Sequence, residues 1–134
     1  MKSSDSLYSF NTGTIWIDIE TNPSTGCSWS IGTYESNCLY LKELISAFDE
    51  EQRIVGIYAS HYMWTQIFGE AEACPLFVDR PLWYAHYDFK ESFDDWSANK
   101  FGGWSEPTLK QFTDREEICG LKVDESYYWW ELIE

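Results

Sequence analysis

The chain has 134 residues, of which 44% are hydrophobic and 24% are charged, so it is long enough for one folded domain and its composition excludes wholesale disorder. Its formal net charge is -14, from 23 acidic and 9 basic residues, which argues against nucleic acid and anionic membranes as partners. Aromatic residues make up 19% of the chain, a content that suits either a bulky core or a sugar-binding cleft.

The first predicted element is a strand over residues 14–20, in which side chains alternate between two faces. Trp16, Asp18 and Glu20 share one face, and the isoleucines between them share the other. Apolar residues on both faces predict a strand that is covered on both sides, as in a parallel sheet. Because two carboxylates at such a place cost desolvation free energy unless function or partners hold them, the pair indicates an enzyme.

The later elements alternate between helices and strands. Asn37 caps a predicted helix that ends at Gln52, and Ser60 caps a second helix that Gly69 ends. The other predictions are a loop over 21–26, strands over 53–59, 81–87, 108–112 and 121–124, and a weakly ordered loop over 88–107. This order predicts one α/β domain over residues 1–134, with parallel pairing in its first half. Two helices are too few to cover both faces of such a sheet, so the pattern favours part of a larger closed structure.

Four cysteines, at positions 27, 38, 74 and 119, lack the Cys-x-x-Cys spacing of a zinc site, and the chain has only two histidines. We therefore expect no metal. The turn-rich segment between Cys27 and Cys38 favours a disulfide there, which leaves Cys74 to pair with Cys119. Four buried free thiols are the alternative.

Five short runs occur in a recognisable order. They are Ile17-Asp18-Ile19-Glu20, Val55-Gly56-Ile57-Tyr58, Leu82-Trp83-Tyr84-Ala85-His86-Tyr87, Lys110-Gln111-Phe112 and Val123-Asp124. This set resembles glycoside hydrolase family 25, the Chalaropsis-type lysozymes or muramidases. The stretch 21–38 and the run Phe101-Gly102-Gly103-Trp104 resemble its eukaryotic, secreted branch. The resemblance implies an irregular TIM-like (β/α) barrel. The chain would be the carboxyl-terminal part of such a barrel, without about the first three βα units and without the site aspartate on the family's first strand.

The resemblance also implies an N-acetylmuramidase, which hydrolyses the β-1,4 bond between N-acetylmuramic acid and N-acetylglucosamine in bacterial peptidoglycan without a cofactor. Glu20 would be the proton donor, Asp18 would support attack by the acetamido group of the substrate, and Asp124 would be a further site carboxylate. Like charges at Asp18 and Glu20 raise one pKa, and the aromatic surroundings favour Glu20 as the group that holds the proton.

Four side chains are expected to bind the glycan by the same resemblance: Tyr58, Trp83, Tyr87 and Gln111. For Tyr58 and Trp83, packing inside a barrel is an open alternative. Gln111 could bind either sugar or backbone. His86 lies on the strand face opposite to Trp83, so we expect a structural role for it.

The family resemblance implies a monomer that works outside the cell or in a lysosome or phagosome, in antibacterial defence. Residues 1–6 are polar, and no signal peptide is recognised among the first residues. The alternative to a lysozyme is a catalytically inactive remnant that binds glycan, or a truncated gene product.

Overall fold

The computed structural model describes residues 13–22, 24 and 26–129. The strands are β1 (Ile15–Ile19), β2 (Val55–Ala59), β3 (Leu82–Ala85), β4 (Leu109–Ile118) and β5 (Leu121–Tyr128). The helices are α1 (Tyr34–Glu50), α2 (His61–Phe68) and α3 (Trp96–Asn99), and a short 3-10 turn covers Trp29–Ile31. None of the helices in this part of the chain has the length and apolar character that crossing a bilayer requires.

The five strands form one sheet in the order β1-β2-β3-β4-β5. The first four strands are parallel, and β5 pairs with β4 in the antiparallel sense. This confirms the α/β sheet that the sequence predicts, with parallel pairing in its first half. β1 and β5 are the outer strands in the part of the chain that the structure describes, and the closed barrel stays a prediction.

One face of the sheet forms the core. Ile19, Ile57 and Leu82 are fully buried there, and all three helices add side chains to the same hydrophobic cluster. The prediction that β1 is covered on both faces is wrong. On the face opposite to the core, Trp16 is only half-buried and Asp18 is exposed. The helices therefore leave the face with the carboxylates open to solvent.

Helix α1 begins earlier than predicted. Thr33 is its N-cap, and its hydroxyl oxygen accepts a hydrogen bond from the Ser36 N–H at 3.1 Å while the Ser36 hydroxyl oxygen accepts from the Thr33 N–H at 2.8 Å. The prediction of Asn37 as the cap is wrong. Asn37 is buried inside the helix, where its side-chain amide donates to the Ile67 carbonyl at 2.8 Å and ties α1 to α2.

The predicted boundaries of α2 are confirmed. The Ser60 hydroxyl accepts from the Met63 N–H at 3.1 Å, and Gly69 ends the helix with a φ of 103°. This left-handed backbone is one that glycine adopts without strain.

The last two strands are longer than predicted. They form a hairpin whose outer half is exposed, so neither face has the apolar alternation by which a strand is recognised. Cys119 and Gly120 make its two-residue turn, with φ values of 53° and 77° that are typical of a type I′ turn.

The loop over 88–107 is better ordered than predicted. Trp96, Phe101 and Trp104 in this segment are buried in the core. Each tryptophan indole also donates a hydrogen bond, Trp96 to the Ser105 carbonyl at 3.1 Å and Trp104 to the Arg80 carbonyl at 2.9 Å. Aromatic burial therefore orders a segment that has little regular secondary structure.

The cysteine pairing differs from the expectation. Cys38 on α1 is bonded to Cys74 in the loop after α2, while Cys27 and Cys119 are free and exposed. The predicted 27–38 and 74–119 bonds are therefore wrong, as is the alternative of four free thiols. The physical reason is tertiary, because α1 and α2 pack together and bring Cys38 to the loop of Cys74, whereas Cys119 lies at the tip of the hairpin.

The disulfide is expected to be a major source of stability. It joins positions 36 residues apart, and loop-closure entropy predicts that Cys38→Ser lowers the free energy of unfolding by about 4 kcal/mol. Cys27→Ser is the control and should change it by less than about 0.5 kcal/mol. Urea unfolding without reductant measures both, and equal losses in the two variants would contradict the pairing.

Candidate active site

The sheet register brings the predicted site residues together. Asp18 on β1 pairs with Tyr58 on β2, and Tyr58 pairs with Trp83 on β3, so these side chains project from one face in a row. A cavity of about 380 Å³ lies over this row, and it is lined by Trp16, Asp18, Glu20, Tyr58, Trp83, Tyr87, Gln111 and Asp124. All seven residues that the sequence proposes for catalysis or glycan binding therefore line one cleft.

Trp16 is the cleft residue that the sequence did not propose for the site. The sequence pattern could have identified it, because Trp16, Asp18 and Glu20 lie two residues apart and share one strand face. Its ring lies over Gly56 on β2, where an added Cβ would lie 2.4 Å from a ring carbon. A side chain at position 56 would therefore displace the ring from its place in the cleft.

Asp18 and Glu20 form a carboxyl pair at the end of β1. Partial burial raises the pKa of Asp18, and the negative charge of Glu20 and a hydrogen bond with its carboxyl group raise it further. Burial and the neighbouring carboxylate act in the same direction, so both favour the neutral form of Asp18. The sequence favours Glu20 as the group that holds the proton, whereas in the structure it is Asp18 whose pKa is raised.

The end of β1 is held by Trp29. Its indole N–H donates to the Glu20 carbonyl at 2.9 Å, and its ring packs edge-on against Phe68 and Tyr40 at centroid distances of 6.1 and 5.8 Å. The backbone of Glu20 is therefore fixed although its side chain is exposed.

Three aromatic rings form the wall of the cleft. Trp83 packs edge-on against Trp16 at 5.6 Å and against Tyr58 at 4.8 Å between ring centroids. The Trp83 indole N–H donates to the Ser126 hydroxyl at 3.1 Å, which ties the wall to β5. All three rings are half-buried and keep part of their surface open to the cleft.

Gln111 joins the two tyrosines of the cleft. Its side-chain oxygen accepts hydrogen bonds from the hydroxyl of Tyr58 and, at 3.2 Å, from that of Tyr87. Burial raises the pKa of Tyr58, so its hydroxyl stays protonated and remains a donor. The partners of this oxygen are therefore side chains rather than the backbone.

A buried lysine anchors the segment that carries Tyr87. Lys110 is fully buried, and its ammonium donates to Asp88 at 2.9 Å and to Asp95 at 2.8 Å. His86 approaches the other oxygen of Asp95 with its Nδ1 at 2.7 Å. The group of His86, Asp88 and Asp95 has the side chains of a metal site, but the ammonium of Lys110 already occupies the place between the two carboxylates. The expectation of a structural role for His86 agrees with this network.

A family model described as lysozyme-like protein 1 matches residues 5–112. The chain belongs to this family of lysozyme-like proteins. Among its relatives, probable GH family 25 lysozyme 4 of Dictyostelium discoideum is 38% identical over 121 residues, which cover 90% of this chain and 52% of that protein. Counting factor 50 of the same organism is 34% identical over 118 residues, which cover 88% of this chain and 36% of that protein. The resemblance to glycoside hydrolase family 25 is thereby confirmed.

The fold of this lysozyme-like chain is also similar to that of a solved lysozyme. The crystal structure of the bacterial lysozyme from Streptomyces coelicolor matches with a TM-score of 0.65 at 19% identity, over 83% of this chain and 48% of that one. At this identity the match shows a shared fold. The chain spans about half the length of the lysozymes that it matches.

Removal of the Lys110 charge is expected to be strongly destabilising. Lys110→Met leaves Asp88 and Asp95 without their buried partner, which should cost about 3–5 kcal/mol of unfolding free energy. Arg115→Met is the control, because Arg115 forms a largely exposed ion pair with Asp114 at 3.4 Å and should contribute less than about 1 kcal/mol. Chemical denaturation measures both, and a Lys110 variant as stable as the control would refute the network's role.

Replacement of Asp18 by Asn is expected to raise the thermal stability at neutral pH. Because folding raises the pKa of Asp18, the folded state binds this proton more tightly than the unfolded chain. The stability that Asp18 contributes is therefore fully present below the ordinary pKa of aspartate, and it is lost as the pH rises through the raised pKa of the folded protein. Asn does not ionise, so the gain in Tm should be present at neutral pH and vanish in acid.

The control for this variant is Asp49→Asn. Hydrogen bonds from Arg80, at 2.7 and 2.6 Å, lower the pKa of Asp49. Removal of the Asp49 carboxylate should therefore decrease the Tm at neutral pH and should have a smaller effect in acid. Thermal unfolding across the pH range measures both variants, and a decrease in Tm for Asp18→Asn at neutral pH would contradict the assignment.

Proposed function

We propose that this protein is a lysozyme-type N-acetylmuramidase that hydrolyses the β-1,4 bond between N-acetylmuramic acid and N-acetylglucosamine in bacterial peptidoglycan. The observation that carries the proposal is a single cavity in which the Asp18–Glu20 pair faces an aromatic wall. Paired carboxyl groups are the chemical requirement of glycoside hydrolysis, and aromatic rings pack against the C–H faces of sugars. Membership of the lysozyme-like family supports the same reaction class.

In the first step, Glu20 gives its proton to the glycosidic oxygen. The carbonyl oxygen of the substrate's acetamido group attacks C1 as the bond from C1 to the glycosidic oxygen breaks. The electron pair of that bond leaves with the oxygen, which becomes the hydroxyl of the departing sugar. The ring that closes on the sugar carries positive charge, and the Asp18 carboxylate stabilises it.

In the second step, a water molecule attacks C1 and reopens this ring. Glu20, now a carboxylate, takes the proton from the water and returns to its starting state. Over the cycle one water is consumed and the configuration at C1 is retained.

The active state needs one proton on the carboxyl pair, with Glu20 protonated and Asp18 ionised. Asp18 and Glu20 line the same cavity, so the acid and the carboxylate face one substrate. Asp124 lines the same cavity, and we assign to it the role of a third site carboxylate.

The aromatic wall and the tyrosine–glutamine cluster would hold the glycan. Trp83 and Tyr58 offer half-buried ring surface to a pyranose, and Trp16 extends this surface along β1. Tyr87 lines the same cavity, and Gln111 orients both tyrosine hydroxyls. The proposed function includes secretion to an extracellular, lysosomal or phagosomal compartment, which the Cys38–Cys74 disulfide supports because such bonds persist in oxidising compartments.

Glu20→Gln is expected to reduce peptidoglycan hydrolysis by about 10²- to 10⁴-fold, since the amide cannot donate the proton. The decrease in turbidity of a bacterial cell-wall suspension measures the activity. Glu43→Gln, an exposed position on α1, is the matched control and should keep full activity. Both variants should retain the thermal transition of the parent, and an active Glu20→Gln protein would refute the catalytic assignment.

A catalytically inactive glycan-binding protein is the second candidate. It is favoured by the outer position of β1 in the described sheet, which leaves the Asp18–Glu20 pair at an edge of the cleft. In that case, glycan oligomers would bind in calorimetry without any release of reducing ends. Failure to bind such oligomers would count against this candidate.

A further inference from the structure

The proposed proton donor, Glu20, lies just beyond the last paired residue of its strand. β1 ends at Ile19, and the register between β1 and β2 ends with the pair of Ile19 and Ala59. In the described sheet β1 is also an outer strand. The strand pairing therefore extends over Asp18, which lies opposite Tyr58, but it stops before Glu20. The place of the Glu20 backbone depends on contacts outside the sheet.

Two side-chain hydrogen bonds hold the chain at this point. The indole N–H of Trp29 donates to the Glu20 carbonyl at 2.9 Å, and the hydroxyl of the next residue, Thr21, donates to the sulfur of Met63 at 3.6 Å. A thioether sulfur is a weak acceptor, whereas a backbone carbonyl is a strong one. Of these two bonds, the one from Trp29 is therefore the stronger.

Trp29 is itself held by the helices. Its ring packs edge-on against Tyr40 on α1 and against Phe68 at the end of α2. The disulfide between Cys38 on α1 and Cys74 after α2 ties the same two helices together. The indole thus connects the end of β1 to the helices that pack on the core face, although the carboxyl group of the proton donor lies in the cleft on the other face.

We infer that Trp29 is a positioning residue for the proton donor, whose indole N–H keeps the end of β1 where the Glu20 carboxyl group reaches the glycosidic oxygen. The inference rests on the proposed function. Trp29 is absent from the described lining of the cleft, so it acts through Glu20 and not through the substrate. The Glu20 side chain is exposed and gains little support from packing. A misplacement of about 1 Å costs a reacting group about 10²-fold in rate.

The first test separates kcat from KM in Trp29→Phe, which removes the donor and keeps an aromatic ring. We expect kcat for soluble peptidoglycan fragments to fall by about 10- to 100-fold. KM should change by less than about twofold, because the ring surface that binds the glycan, on Trp83 and Tyr58, is untouched. A loss that appears in KM alone would overturn the inference.

Trp104→Phe is the matched control. The indole of Trp104 also donates to a backbone carbonyl at 2.9 Å, that of Arg80, but this ring is buried in the core and does not belong to the described lining of the cleft. The folded protein should keep both kcat and KM after this change. An equal fall in kcat for Trp104→Phe and Trp29→Phe would show a general loss of structure and would refute the positioning role.

A second variant removes only the donor. Benzothienylalanine at position 29 has a sulfur where the indole of Trp29 has its N–H, so the two fused rings keep their contacts with Tyr40 and Phe68. It should lower kcat as Trp29→Phe does, and it carries the test if Trp29→Phe does not fold. Full activity of this variant would contradict the inference.

A double-mutant cycle with Glu20→Gln tests whether Trp29 acts through the carboxyl group. Trp29→Phe should lower kcat in the parent, but it should change the residual rate of Glu20→Gln by less than about twofold, since the group that it positions is already lost. The residual rate is measured from reducing ends over long incubations with the same fragments. The same loss in both backgrounds would mean that Trp29 acts independently of Glu20, contrary to the inference.

Titration of the Asp18 carboxyl carbon by nuclear magnetic resonance gives a readout without turnover. The charge of Glu20 contributes to the raised pKa of Asp18, so release of Glu20 in Trp29→Phe should lower this pKa toward its ordinary value, while burial keeps part of the rise. The other titratable groups in the described lining are Tyr58, Tyr87 and Asp124. Trp104→Phe should leave the Asp18 titration unchanged. An unchanged titration in Trp29→Phe would overturn the inference.

The two proposals can fail separately. If the parent clears cell walls and both variants at position 29 keep its kcat, the positioning role fails and the proposed function stands. If the parent cleaves no glycan but the Asp18 titration moves in Trp29→Phe, the proposed function fails and the hold of Trp29 on the carboxyl pair stands.

Discussion

Burial of Ile19, Ile57 and Leu82 beneath the helices fixes the register of the first three strands. Since successive side chains on a strand point to opposite faces, each residue next to these buried ones is turned toward the open face. Asp18, Tyr58 and Trp83 are such residues, and a slip of one position would send them into the core. The cleft thus depends on the hydrophobic packing of the face opposite to it.

Two acidic clusters in the same chain show contrasting electrostatics. Asp88 and Asp95 share the ammonium of the buried Lys110, which compensates part of their charge, and they anchor a segment of the wall. Asp18 and Glu20 lie in a cavity without a lysine or arginine among its described lining residues, and the pKa of Asp18 is raised as a result of burial and of its neighbour. A compensated cluster stabilises structure, whereas a raised pKa in an uncompensated one is typical of a functional site.

The residues that line the cleft could be predicted because their signals are local or belong to a family pattern. The period of two in β1 places Asp18 and Glu20 on one face, and the family runs point to Tyr58, Trp83, Tyr87, Gln111 and Asp124. The same period also placed Trp16 on this face, yet its role as a cleft wall depends on the absence of a side chain at Gly56, a residue of another strand. Trp29 gave no such signal, because its hydrogen bond to the Glu20 carbonyl forms only after the loop folds back on the strand.

The sequence by itself determined the order of the five strands and of the first two helices, the parallel half of the sheet, and the face on which the carboxylates lie. These depend on hydrophobic periodicity and capping groups within short segments. Only the tertiary structure decided the Cys38–Cys74 pairing, the place of Asn37 inside α1, the order in the 88–107 segment and the contact of Trp29 with Phe68. Each of these arises where residues far apart in the chain meet, and neither spacing nor composition records which distant surfaces will pack together.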